Sequence, residues 1–152
     1  MAQNNRGLIM KVKIGGYPKN RWYHNFLYEK FGYENVPKVS VRIDKCDTWS
    51  MDHTLAHIVV PMLTQLRQQT HSAPLVCFGD RPQHLIGTVP DPAKGETDEF
   101  HHDAWYWAMD EMLFAFESKL TEWTFDDLVF RDQERISNGF RLFGKYYENL
   151  WD

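Results

Sequence analysis

The sequence predicts an α+β fold dominated by helix, in which about four helices pack with a small antiparallel sheet or hairpin. Two observations predict the elements: four stretches repeat apolar residues at three- and four-residue spacing, and two short stretches alternate apolar with polar residues. A third bounds the whole: 152 residues at 43% hydrophobic and 15% aromatic content are enough for one core. Residues 1–152 are therefore read as a single domain, with 1–9 a loosely held extension ahead of Met10, a second candidate start.

Residues 8–14 (LIMKVKI) alternate well enough for a first strand, and Gly15-Gly16-Tyr17-Pro18 ends it. Asn20 is placed to cap a helix running to about Phe31, with Trp22, Phe26 and Leu27 available to a core. Residues 38–44 (KVSVRID) set Val39, Val41 and Ile43 on one face and Ser40, Arg42 and Asp44 on the other. That is the pattern of a second strand, paired with the first.

Ser50 to Gln69 reads as a helix whose buried stripe is Leu55, Ile58, Val59, Met62 and Leu66. Pro61 lacks an amide proton and is expected to kink it near His57. Residues 70–98, with Pro74, Pro82, Pro90 and Pro92 and little periodicity, read as a long loop. Asp98 to Thr121 is apolar on nearly every side, so that helix is expected at the centre of the molecule. Beyond a break near Thr124, residues 132–150 form a last amphipathic helix with Ile136, Phe140, Phe143, Tyr147 and Leu150 in one stripe.

A formal charge of −4 argues against a protein whose whole surface docks on duplex DNA. No apolar run approaches the roughly 20 residues that span a bilayer, and the polar start Met1 to Arg6 has no signal-peptide core. Cys46 and Cys77 form no C-x-x-C pair, so neither a disulfide framework nor a cysteine zinc site is indicated and a cytoplasmic setting is expected.

The first candidate site surrounds the glycine turn. Lys13, Tyr17, Lys19, Arg21 and Trp22 combine cations and flat rings at a strand-to-helix junction, where amide groups favour anions. Arg42, Asp44 and Trp49 crowd the second such junction, and together the eight residues suit a small anionic ligand with a stackable base. An ordinary turn and a capped helix start explain the same residues without a ligand. The second candidate is metallic: His53 and His57 share one helix face, and Asp103, Asp110 and Glu117 recur every seven residues along another helix. A solvated acidic stripe tied to Arg and Lys is the plainer account of those carboxylates. No serine or cysteine lies in a nucleophile motif, so no catalytic residue and no cofactor is assigned.

Four blocks carry a resemblance: KVKIG at 11–15, VRID at 41–44 with DTWSMDHTLA at 47–56, DEMLFAFE at 110–117, and NGFRLFGKYY at 138–147 ending in LWD at 150–152. Together they resemble a family of small proteins of tailed bacteriophages, over most of the chain outside residues 70–98. Cys46 stands where an aromatic is expected, and the stretch between Glu117 and Arg135 is shorter than in such relatives. The resemblance implies an origin and a setting, the infected host cell, but transfers no catalytic residue.

These readings lead to one expectation and two alternatives. The expectation is a phage accessory protein, non-enzymatic and homo-oligomeric, that sequesters a nucleotide signal such as a cyclic nucleotide or an ADP-ribose derivative as a counter-defence. One alternative is a metal-dependent hydrolase of a nucleotide, using a divalent metal on His53, His57, Asp103, Asp110 or Glu117. The other is an adaptor that binds a host or phage protein.

Overall fold

The computed structural model describes residues 22–32, 43–88, 96–121 and 132–151. The chain falls into two compact units, Met1–Asp47 and Thr48–Asp152.

In the first unit, helix α1 spans Trp22–Phe31. Gly32 ends it in the left-handed region at φ 63, its amide donating to the Tyr28 carbonyl at 2.9 Å. Only glycine takes that conformation at no steric cost. No α1 residue is buried, so Trp22 and Phe26 do not enter a core as their spacing predicts.

The expected sheet is not found: the described residues contain no strand, sheet or hairpin, and their fold is helical. Residues 8–14 and 38–42 lie outside the described residues, but Ile43, expected on the buried face of the second strand, is 68% exposed. The backbone there serves a turn. The Asp44 amide donates to Asp47 Oδ2 at 2.7 Å, the Cys46 amide donates to Asp44 Oδ1 at 3.1 Å, and Lys45–Thr48 closes as a 3-10 turn. Side-chain carboxylates thus satisfy amides that a ladder would have used.

The second unit holds α2 (Met51–Gln69), α3 (His101–Leu120) and α4 (Gln133–Lys145), the last followed by a 3-10 turn at Tyr147–Asn149. Helix α3 packs against both α2 and α4, the central place its all-round apolar character predicts. Ala104, Ala108 and Ala115 are completely buried and let neighbouring helices approach, while Trp105, Met109 and Met112 fill the volume between. Asp52 at the start of α2 meets Lys119 at the end of α3 at 3.2 Å, so the two helices run antiparallel.

Gly139 sets the crossing of α4 on α3. A Cβ there would overlap the Glu111 carbonyl oxygen and lie 2.6 Å from the Ala115 Cβ, so the backbones meet where no side chain fits. On either side the contact is filled by the Phe116 ring, edge-on to Phe140 at 5.1 Å and to Phe143 at 4.8 Å. Asp132 caps α4 by accepting the Arg135 amide at 2.9 Å.

Helix α2 turns a different side to the core from the one its stripe predicts. Ala56 and Leu63 are buried, with Val59, Val60 and Leu66 packed beside them, whereas Leu55 and Met62 are exposed. Its apolar arc is wider than α3 covers, and the covered part is centred on the alanine, where the helices come closest.

Candidate functional site

Two places in the second unit gather chemistry-bearing side chains. The first is the described part of the segment between α2 and α3, which carries two short 3-10 turns at Phe78–Asp80 and Gln83–Leu85. Arg81 turns inward from it. Its Nη1 donates to Asp98 Oδ1 at 2.8 Å with neither side chain open to solvent, and its Nε donates to the Val76 carbonyl at 2.9 Å. Asp98 Oδ1 also accepts the Phe100 amide at 3.0 Å, so one carboxylate joins the loop to the start of α3. The Arg81 guanidinium beside it holds the Asp98 carboxyl below the ordinary carboxylate value.

Asp80, next in the chain, points to α4. Arg141 Nη1 reaches it at 2.7 Å, Lys145 Nζ at 2.5 Å, and the Tyr146 hydroxyl donates to it at 2.6 Å. Burial alone would raise the Asp80 carboxyl, but the hydrogen bonds from Lys145, Tyr146 and Arg141 outweigh it and bring the pKa to about 2. Tyr146 also accepts the Cys77 amide at 3.0 Å, and burial together with the Asp80 carboxylate pushes its phenol well above the ordinary value. These charges are consumed in fastening the loop to α4, which makes the cluster a structural clamp.

The second place is the surface of α2. Around its axis, Ala56, Leu63 and Thr70 face the core, while Asp52 and Arg67 at the margin of that face reach α3, Asp52 to Lys119 and Arg67 to Asp110. On one flank beyond the core face, Met51 (58% exposed), Leu55 (43%) and Met62 (57%) line up with half-buried Ile58 between them. Trp49, just ahead of the helix, is 87% exposed. The flank carries no charged residue; Thr54, Gln65 and Gln69 border it.

Of the residues predicted to hold an anionic ligand, Lys13, Tyr17, Lys19, Arg21 and Arg42 lie outside the described residues. Trp22 is 87% exposed on α1, with its ring edge-on to Tyr23 at 6.0 Å. Asp44 is engaged in its turn, in the first unit, while Trp49 belongs to the second.

Of the predicted metal set, His53 and His57 stack edge-on at 4.6 Å on the solvent side of α2. Asp103, Asp110 and Glu117 are exposed on α3, where Arg67 Nε holds Asp110 at 3.0 Å and the Arg67 Cζ lies 4.1 Å from the centre of the Tyr106 ring. Among the described residues, no group of three His, Cys, Asp or Glu side chains is arranged to hold a metal ion. Nor is any described helix long and apolar enough to cross a membrane.

Sequence reading missed Asp80, Arg81, Asp98 and Tyr146, because partners separated by 17 to 66 positions leave no periodic trace. It also missed the exposed flank of α2, whose residues look the same as core.

No protein family, curated protein or solved structure matches this chain.

Proposed function

We propose that the chain is a non-catalytic binding protein that engages a polypeptide, specifically the apolar face of an amphipathic helix, through the outer flank of α2. One observation carries the reading. Large apolar side chains at positions 51, 55 and 62 stand in water on a well-packed helix whose adjoining arc already supplies the core. Exposed apolar residues scattered singly need no explanation, but a helical stripe flanked by an exposed tryptophan has the composition of a recognition surface. The absence of charge on the flank selects a partner with an equally uncharged face, since an unpaired charge facing it would be desolvated without compensation. We further propose that this binding takes place inside an infected cell, the setting that the resemblance to small phage proteins implies.

The test is a photo-crosslinker built in at Met62. The reading expects adducts that map to the apolar face of a helix in the captured polypeptide and that disappear with Leu55→Lys. Adducts that survive that substitution, or none at all, would overturn it.

A second reading, capture of a nucleotide signal, is supported by the accessibility of the Trp22 and Trp49 rings, each 87% exposed and free to stack a base. Calorimetric titration with cyclic nucleotides and ADP-ribose tests it, with heat lost in Trp22→Ala or Trp49→Ala as the expected outcome and silence in the parent protein as the contrary one.

A further inference from the structure

We infer that the start of α3, where residues 73–85 close over it, is a binding site for internal water, with one molecule bridging Arg81 to Asp98. Arg81 Nη1 and Asp98 Oδ1 meet at 2.8 Å with neither side chain open to solvent. Arg81 Nη2 and Asp98 Oδ2, the other arms of the same two groups, are buried and have no hydrogen-bond partner among the described residues. Both groups are held in place. Arg81 Nε donates to the Val76 carbonyl at 2.9 Å, Nη1 also reaches the Leu85 carbonyl at 3.4 Å, and Cζ lies 4.6 Å from the centre of the Phe78 ring. Asp98 Oδ1 accepts the Phe100 amide at 3.0 Å as well. Neither group can turn toward a new partner without giving up these bonds, so a donor and an acceptor are left flanking one contact.

The chemistry of the two orphan atoms selects the occupant. Buried polar groups are met by protein or by ordered water, because an unmet donor or acceptor loses the bond that it makes to solvent in the unfolded chain. Whatever sits here must accept from Nη2 and donate to Oδ2. The guanidinium repels a cation and the carboxylate repels an anion, so an ion gains nothing from a pair whose charges already cancel. Water is the neutral molecule that does both and fits a closely packed interior. Its second proton also has acceptors at hand, since the Val76 and Leu85 carbonyls beside the guanidinium each have a lone pair beyond the one given to Arg81.

The same pattern recurs within α3. His101 Nε2 lies 2.8 Å from the Ala73 carbonyl, which can only accept, so Nε2 carries the proton and Nδ1 of the neutral ring is an acceptor. Trp105, four residues on and on the same face of the helix, offers a donor in Nε1. Both atoms are buried without a partner among the described residues, so the orphans at the start of α3 are two donors and two acceptors, the balance that bridging water satisfies.

The experiment is a crystal structure of the full chain at a resolution that locates ordered water, joined to deuteron relaxation dispersion in solution, which counts waters held longer than the protein takes to tumble. The crystal is expected to show a water within hydrogen-bond distance of both Arg81 Nη2 and Asp98 Oδ2. In solution the dispersion amplitude is expected to fall by that of one water in the double variant Arg81→Met with Asp98→Leu, with helical content by circular dichroism unchanged. Direct closure of Nη2 on Oδ2, an empty gap, or an ion or organic molecule in place of the water overturns the inference. So does a folded double variant that keeps the full amplitude. Should the double variant fail to fold, the parent crystal decides alone, because it either shows the bridging water or excludes it.

Discussion

Arg81 and Asp98, 17 positions apart, close the connection between α2 and α3 with an ion pair of 2.8 Å that solvent does not reach on either side. Arg81 Nη2 and Asp98 Oδ2 have no hydrogen-bond partner among the described residues, so this pair meets only part of its bonding capacity. Removing one partner leaves the other charge buried alone, whereas removing both leaves only a packing defect. Arg81→Met is therefore expected to destabilise the second unit by on the order of 3 kcal/mol. The double variant Arg81→Met with Asp98→Leu should cost less than that single change. Urea unfolding followed by tryptophan fluorescence reads both; a double variant less stable than the single would show that the pair contributes net stability.

Asp80 supplies a pH dependence. Its folded pKa of about 2 lies below the ordinary 3.8, so the folded state binds its proton less readily than the unfolded chain. The stabilisation is fully present above about pH 4 and is lost as pH falls through 4 toward 2. The shift corresponds to about 2 kcal/mol, and roughly half of that is expected in salt, because Arg141 and Lys145 are each more than 40% exposed. Asp80→Asn should be less stable than the parent at pH 7, and the gap should narrow toward pH 2. A gap of constant size from pH 7 to 2 would place the effect in packing instead of charge.

Two glycines of α4 respond oppositely to the same substitution. Gly139→Ala drives a methyl group into the α3 backbone and is expected to cost about 1–3 kcal/mol, because neither helix moves without disturbing Phe116 and its neighbours. At Gly144 nothing lies within 4 Å of a new Cβ, so Gly144→Ala is expected to stabilise by about 0.5–1 kcal/mol through helix propensity alone. Thermal melts of the two variants against the parent give the comparison, and equal signs would contradict the crossing at Gly139.

The three helices of the second unit are legible in sequence because each repeats apolar residues over at least three turns, and the central place of α3 follows from apolar residues on nearly every side of it, with the stripe of Asp103, Asp110 and Glu117 left to solvent. The depth of α2 is less legible. Its apolar arc includes Leu55, Val59 and Leu63 without a break, and only the tertiary partner decides that Ala56 and Leu63 go inward while Leu55 and Met62 stay out. Residues 38–44 alternate like a strand, yet at the described end of that stretch Ile43 is exposed and Asp44 enters a turn whose hydrogen bonds run to side chains three and two positions away. The clamp at Asp80 is invisible for another reason: Tyr146 belongs by spacing to the edge of an amphipathic helix, and nothing local marks its hydroxyl as the partner of a residue 66 positions earlier.

Arg135 joins α4 to α3 in a way that lysine does not reproduce. Its Nε and Nη2 both donate to the Glu111 carboxylate, at 3.0 and 2.8 Å, while the guanidinium plane lies 3.8 Å from the centre of the Phe114 ring. The hydrogen bonds to Glu111 raise the Arg135 pKa above its ordinary value, so the guanidinium keeps its charge. A lysine keeps the charge but loses the fork and the stacked plane. Arg135→Lys is therefore expected to cost about 1 kcal/mol, and Arg135→Met somewhat more, because Glu111, only 10% exposed, is then left without its cation. Chemical denaturation separates the two effects: a lysine variant as stable as the parent would mean that charge alone holds the contact, and that the bidentate, stacked geometry contributes nothing.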